Sequence, residues 1–117
     1  MPPKPRNVQS CDVLVVGLGP AGGAAAAAAA RCGLRVIAVE KKAAVGVPVQ
    51  CAEFIPLPLS GYARAAGVPQ QSITGMLSVL PSGARAATPF SGLMIDRAAF
   101  DQALAAAAAA AGAAVHA

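Results

Sequence analysis

Gly17-Leu18-Gly19-Pro20-Ala21-Gly22 has a glycine spacing suited to holding a pyrophosphate. Gly17 permits a tight turn, the missing side chain at Gly19 lets a phosphate approach the backbone, and Gly22 lets a helix pack closely on a strand. The N–H groups freed at a helix start, together with the helix dipole, then face the anion. Glu40 stands 18 residues after Gly22, where a carboxylate can accept hydrogen bonds from the ribose hydroxyls of an adenosine. A carboxylate there also repels a 2′-phosphate and so disfavours NADP. The plain alternative for Glu40 is an exposed acid at a strand end, paired with Lys41 or Lys42; the upstream glycines favour the ribose role. This spacing does not decide between FAD and NAD.

Few other residues offer chemistry. Cys11, Cys32 and Cys51 are odd in number and lack metal-ligand spacing, and His116 has no second histidine, so no metal site is expected. The cysteine usage fits a reducing, cytoplasmic compartment. The nine basic residues against five acidic ones leave a formal charge of +4. They are scattered along the chain and form no track for nucleic acid.

The glycine motif has meaning only between a strand and a helix, and the flanking residues supply both. Cys11–Val16 is a short β-branched run that reads as a buried parallel strand. Pro20 suits a helix start, where its missing N–H is harmless. Ala21–Cys32 is nearly pure alanine and strongly helical, and Gly33 supplies the stop. Leu34–Val39 forms the second strand, so a βαβ unit with a right-handed crossover is complete by Glu40. Residues 41–58 read as loop, broken by Gly46, Pro48, Pro56 and Pro58. A short helix is expected over 59–66, followed by Ile73–Leu80 and Ala84–Pro89 as a hairpin or small meander joined by Pro81-Ser82-Gly83. Leu93–Ile95 reads as a further short strand. Arg97–Ala111 is a helix with Asp96 as N-cap and Gly112 as its end, and residues 113–117 begin another strand.

Residues 1–10 form a Pro-rich lead-in, leaving 11–117 as one small domain. Hydrophobic residues make up 56% of the chain, but alanine supplies much of that and aromatics only 3%, so the core lacks bulky anchors. The 18 uncharged residues Val13–Ala30 imitate a signal peptide or a membrane span. The five glycine and proline residues within Gly17–Gly23 and the acid at Glu40 argue instead for a nucleotide-binding turn.

Residues 11–56 resemble the start of the geranylgeranyl reductase family of FAD-dependent oxidoreductases, within the p-hydroxybenzoate hydroxylase-like flavoproteins. Two further stretches carry the likeness. Val45-Gly46-Val47-Pro48-Val49-Gln50-Cys51-Ala52-Glu53 is similar to that family's loop after the second strand. Asp96-Arg97-Ala98-Ala99-Phe100-Asp101, followed by Leu104, is similar to the helix start shared by these flavoproteins.

The resemblance implies an α/β, Rossmann-like FAD/NAD(P)-binding domain with a βαβ start, a parallel sheet and a small β-meander. It also implies that 11–117 is the N-terminal part of that domain, with a second flavin-binding segment and a substrate domain absent. Ala21 would contact the pyrophosphate and Glu40 the ribose. Cys51, Ala52 and Phe54 would line the flavin side, with Cys51 a candidate catalytic group, and Arg97 would bind the cofactor. Phe54 replaces a glycine found in many relatives. The implied reaction is reduction of isoprenoid C=C bonds by hydride from the reduced flavin, in an enzyme whose 117-residue segment is inactive alone. The electron donor, NADPH or another reductant, has no site in this segment. An isoprenoid lipid or small molecule is the implied substrate, with peripheral membrane contact through the absent domain. The alternatives are an FAD-dependent aromatic hydroxylase, against which the Pro-Val-Gln-Cys loop argues, and a non-catalytic nucleotide-binding fragment.

Overall fold

The computed structural model describes residues 8–117, so most of the expected lead-in lies outside the described residues. Strand β1 (Val13–Val16) feeds helix α1 (Pro20–Arg31), which returns to strand β2 (Val36–Val39). These are parallel neighbours, Val13 opposite Val36 and Val16 opposite Val39. The expected βαβ unit is thus present, with strands shorter than the apolar runs that encode them. α1 ends as expected: Gly33, with φ 79°, donates its N–H to the Ala30 carbonyl in a conformation a side chain would resist.

After β2 the chain leaves the parallel sheet. The segment read as loop ends in strand β3 (Phe54–Pro56), a 3-10 turn (Leu57–Leu59) and helix α2 (Ser60–Ala66). β3 was not legible because only three residues form it, and one is proline, tolerated at an edge. Strands β4 (Gln70–Val79) and β5 (Arg85–Ile95) form the expected hairpin. Leu93–Ile95 is the end of β5 rather than a separate strand, since β3 pairs with it through Phe54–Met94 and Pro56–Gly92. The expected meander is therefore an antiparallel sheet in the order β3-β5-β4. A side chain at Gly92 would strike the Phe54 ring and the Ile55 carbonyl, so glycine is what lets β3 join.

Helix α3 (Arg97–Ala110) brings the chain back, and strand β6 (Ala114–His116) pairs in parallel with β2 to complete the order β1-β2-β6. Asp96 caps α3 by accepting a hydrogen bond from Ala99 N at 2.9 Å, as the sequence predicts. Alanine on α1 and α3 permits close approach of the two helices. A Cβ at Gly23 would lie 2.9 Å from Leu104 Cβ. The first core cluster joins Ala26, Ala27 and Ala30 of α1 to Val36 and Ala38 of β2 and to Ala105 and Ala108 of α3. The second joins Phe100 of α3 to Ile55, Leu93 and Ile95 of the antiparallel sheet and Ala63 of α2. One helix therefore fixes both sheets, and its first turn lies where they meet.

Gly22 is the tightest point of this packing. A Cβ there would overlap the Gly17 carbonyl oxygen and stand 3.3 Å from Val15 Cγ1. Since backbone cannot swing aside as a flexible side chain can, Gly22→Ala is expected to destabilise the fold by at least about 2 kcal/mol. Urea denaturation with an unshifted midpoint would show that the turn has room to spare.

Candidate functional site

The glycine turn and Glu40 are tied together directly. Gly17, with φ 96°, leaves β1 by a backbone path that favours glycine, and its N–H donates to the Val39 carbonyl at 2.8 Å. Glu40 accepts from Leu18 N at 2.8 Å through Oε2 and from Lys42 N at 3.1 Å through Oε1. These bonds, Leu18's first and Lys42's second, hold the Glu40 carboxyl below the ordinary glutamate range. Gly19 is the N-cap of α1 and no side chain caps that helix, so N–H groups of its first turn are available to an anion. A Cβ built on Gly19 meets no heavy atom within 4 Å.

The two stretches that carry the family resemblance pack on each other. The loop after β2 lies against the first turns of α3. A Cβ at Gly46 would stand 3.0 Å from Ala98 Cα and 3.1 Å from Asp101 Cβ, and Gln102 Nε2 donates to the Val45 carbonyl at 3.1 Å. Further on, Arg97 Nη1 donates to Cys51 Sγ at 2.8 Å. Asp101 holds the other side of that guanidinium, 3.0 Å from Nε and 3.5 Å from Nη2. The Asp101 bond is the main reason the Arg97 guanidinium keeps its proton even more firmly than usual; nearby Cys51 adds to it. Glu53 closes the loop with φ 61°, its carboxylate accepting from Arg97 N at 3.2 Å and its carbonyl from Ile95 N at 2.8 Å.

A polar cavity of about 250 Å³ opens between these parts, lined by Gly19, Glu40, Lys42, Cys51, Arg97 and Asp101 together with the 46–50 loop. An apolar groove of about 410 Å³ lies beyond Arg97, lined by Ala21, Phe54, Tyr62, Phe100 and Leu104 among others. Arg97 lines both. Phe54 stacks on Phe90, ring centroids 4.7 Å apart.

Of the residues singled out in the sequence, Gly19, Glu40, Cys51 and Arg97 share the polar cavity. Gly17 lies beside Glu40 in a neighbouring cleft at the ends of β1 and β2, and Gly22 serves the packing beneath the turn. Ala21 and Phe54 line the apolar groove instead, and Ala52 is exposed and lines neither. No basic residue stands close to Cys51 along the chain; Arg97, 46 positions away, supplies one in space. At the start of α3 the Arg97 charge faces the positive end of the helix. Glu53 and Asp101 provide the compensating negative charge from within the protein. Asp101 was detectable as the (i, i+4) partner of Arg97. Glu53, tied across 44 positions, left no such signal.

A glycine turn between parallel strands, a carboxylate at the end of the second strand and an open helix start define a dinucleotide-binding domain. The family described as "FAD binding domain" matches residues 12–99, and the chain belongs to that family; its cofactor is FAD. The chain is 42% identical over 96 residues to digeranylgeranylglycerophospholipid reductase 2 of Methanopyrus kandleri, covering 78% of this chain and 24% of that protein. It is 37% identical over 108 residues to the reductase of that name in Methanocaldococcus jannaschii, covering 89% and 28%. Among solved structures, a geranylgeranyl bacteriochlorophyll reductase-like protein of Thermoplasma acidophilum superposes with a TM-score of 0.75 at 34% identity, over 90% of this chain and 29% of that one. Halogenase PltM, 17% identical with a TM-score of 0.66, shares the fold alone. The chain spans about a quarter of the length of the curated relatives it matches. No described helix is long and apolar enough to cross a membrane.

Proposed function

We propose that this chain is the FAD-binding segment of a cytoplasmic reductase that saturates isoprenoid C=C bonds, acting on a lipid at the membrane surface. The reading rests above all on the packing of the Val45–Glu53 loop onto the Asp96–Asp101 helix start, which brings Cys51 and Arg97 to the same cavity as Gly19 and Glu40. Its support in the comparisons is the name shared by the reductases of M. kandleri and M. jannaschii.

The residues fit FAD. Open space beside Gly19 leaves room for the pyrophosphate against the first-turn N–H groups of Ala21 and Gly22, with Gly17 and Gly22 shaping the turn. Glu40 offers acceptor oxygens to the ribose, and Arg97 with Lys42 offers positive charge. Cys51 in the polar cavity and Phe54 in the apolar groove are assigned to the flavin side, with the exposed Ala52 on the loop between them. Bound FAD supplies hydride-transfer chemistry that no side chain can perform. The protein holds and orients it, while a substrate region and an external reductant, such as NADPH, are supplied outside this segment.

The test is the full-length holoprotein, reduced anaerobically with dithionite and mixed with a geranylgeranylated glycerolipid. Mass spectrometry is expected to find hydrogen added across the chain. In a parallel aerobic assay with NADPH, oxygen consumption with hydroxylation of an aromatic substrate would point instead to the hydroxylase class. In the anaerobic assay Cys51→Ser should retain its flavin and show altered but not abolished reduction, because the thiol shapes the pocket wall and donates no bond the cofactor needs. Complete loss of turnover with normal flavin content would make Cys51 a catalytic group.

A further inference from the structure

Arg97 is gripped by two carboxylates, one on each part of the residue. Glu53 accepts from its backbone N at 3.2 Å, and Asp101 accepts from its side chain through Nε at 3.0 Å and Nη2 at 3.5 Å. A guanidinium is a planar fork, so fixing the Nε–Nη2 edge fixes the direction of the remaining Nη1. That nitrogen points at Cys51 Sγ, 2.8 Å away, on the wall of the cavity shared with Gly19 and Glu40. Asp101 is itself only 6% exposed. A buried carboxylate is costly to maintain without a partner, and the Arg97 fork is the partner it has. Its Cβ also backs the loop at Gly46, so it cannot follow a displaced arginine.

We infer that Asp101 is a positioning residue: by holding the Nε–Nη2 edge it keeps the Nη1 edge of Arg97 against Cys51 on the wall of the FAD cavity, and so sets the contribution of Arg97 to cofactor binding. The inference rests on the FAD reading above. Glu53, in a backbone conformation that few non-glycine residues adopt, fixes the origin of the same side chain and holds the Cys51 loop against it. Without Asp101 the guanidinium keeps its charge but loses its direction.

The experiment is FAD titration into the full-length apoprotein, with melting temperature recorded for every variant. Asp101→Asn keeps shape and removes the charge-assisted clamp; FAD should bind about ten- to a hundredfold more weakly, the worth of one hydrogen bond to a charged group. Asp101→Glu should recover most of that loss. Arg97→Ala should weaken FAD similarly, and adding Asp101→Asn to it should cost FAD affinity nothing further, since both changes remove one interaction. Arg97→Lys, which has no fork for Asp101 to hold, should resemble Asp101→Asn, and it carries the test if Asp101→Asn does not fold. Losses that multiply in the double variant, or a lowered melting temperature with unchanged FAD affinity, would overturn the inference. Failure of the FAD reading is distinct: wild type would take up no FAD, or would bind it no better than Gly19→Val.

Discussion

Gly19→Val is expected to give a folded protein that is colourless on purification. Gly19 has φ −67° and ψ −176°, an extended conformation that valine adopts without strain. A Cβ there meets nothing within 4 Å, so the fold has room for the side chain and should lose no more than about 1 kcal/mol. The added methyl groups occupy the space beside the first turn of α1 that the pyrophosphate needs. Losing two hydrogen bonds to a charged group, each worth about 1.5–3 kcal/mol, weakens FAD by more than about hundredfold. Visible absorbance for flavin, with far-UV circular dichroism for the fold, reads both quantities on one sample. Stoichiometric flavin in a folded Gly19→Val protein would sink the glycine-turn assignment. Gly22→Ala makes the instructive contrast: three positions along, the same kind of substitution strikes the Gly17 carbonyl and damages the fold itself.

What the sequence made legible was local. The β1-α1-β2 unit and the cap of α3 follow from strand runs, alanine helices, the helix stop Gly33 and the N-cap Asp96, each acting within a few residues. The site was legible as far as it rests on those elements, through Gly19 and Glu40. The antiparallel sheet was only half legible, because the pairing of Phe54–Pro56 with Gly92–Met94 joins segments nearly forty residues apart, and three residues carry no periodicity. Ala21 and Phe54, named through resemblance, fell in the apolar groove because the two pockets divide at Arg97, a boundary set by tertiary packing. The Cys51–Arg97–Asp101 contacts were hidden for the same reason. Spacing reveals an (i, i+4) pair on one helix, but not the loop that a second motif lays across it.

Glu40→Ala is expected to weaken FAD binding by roughly ten- to a hundredfold in the full-length protein, since a hydrogen bond to a charged group is worth about 1.5–3 kcal/mol. An ionised carboxylate has about four acceptor positions on its two oxygens. Leu18 N and Lys42 N occupy one on each oxygen, and the remaining acceptor positions are free for the ribose hydroxyls. The backbone bonds thus aim the group without using it up, and Glu40→Gln, which keeps one acceptor oxygen, should lose less than Glu40→Ala. The pH dependence has a definite sign. The carboxyl is held below its ordinary range in the folded protein, so its stabilising contribution is complete above the unfolded-state value and is lost as pH falls through the folded value. FAD affinity should accordingly stay level through the ordinary glutamate range as the solution is acidified, and fall only below it. Isothermal titration at a series of pH values measures this directly. Unchanged FAD affinity in Glu40→Ala would remove the ribose role and leave Glu40 as a brace between the glycine turn and the loop after β2.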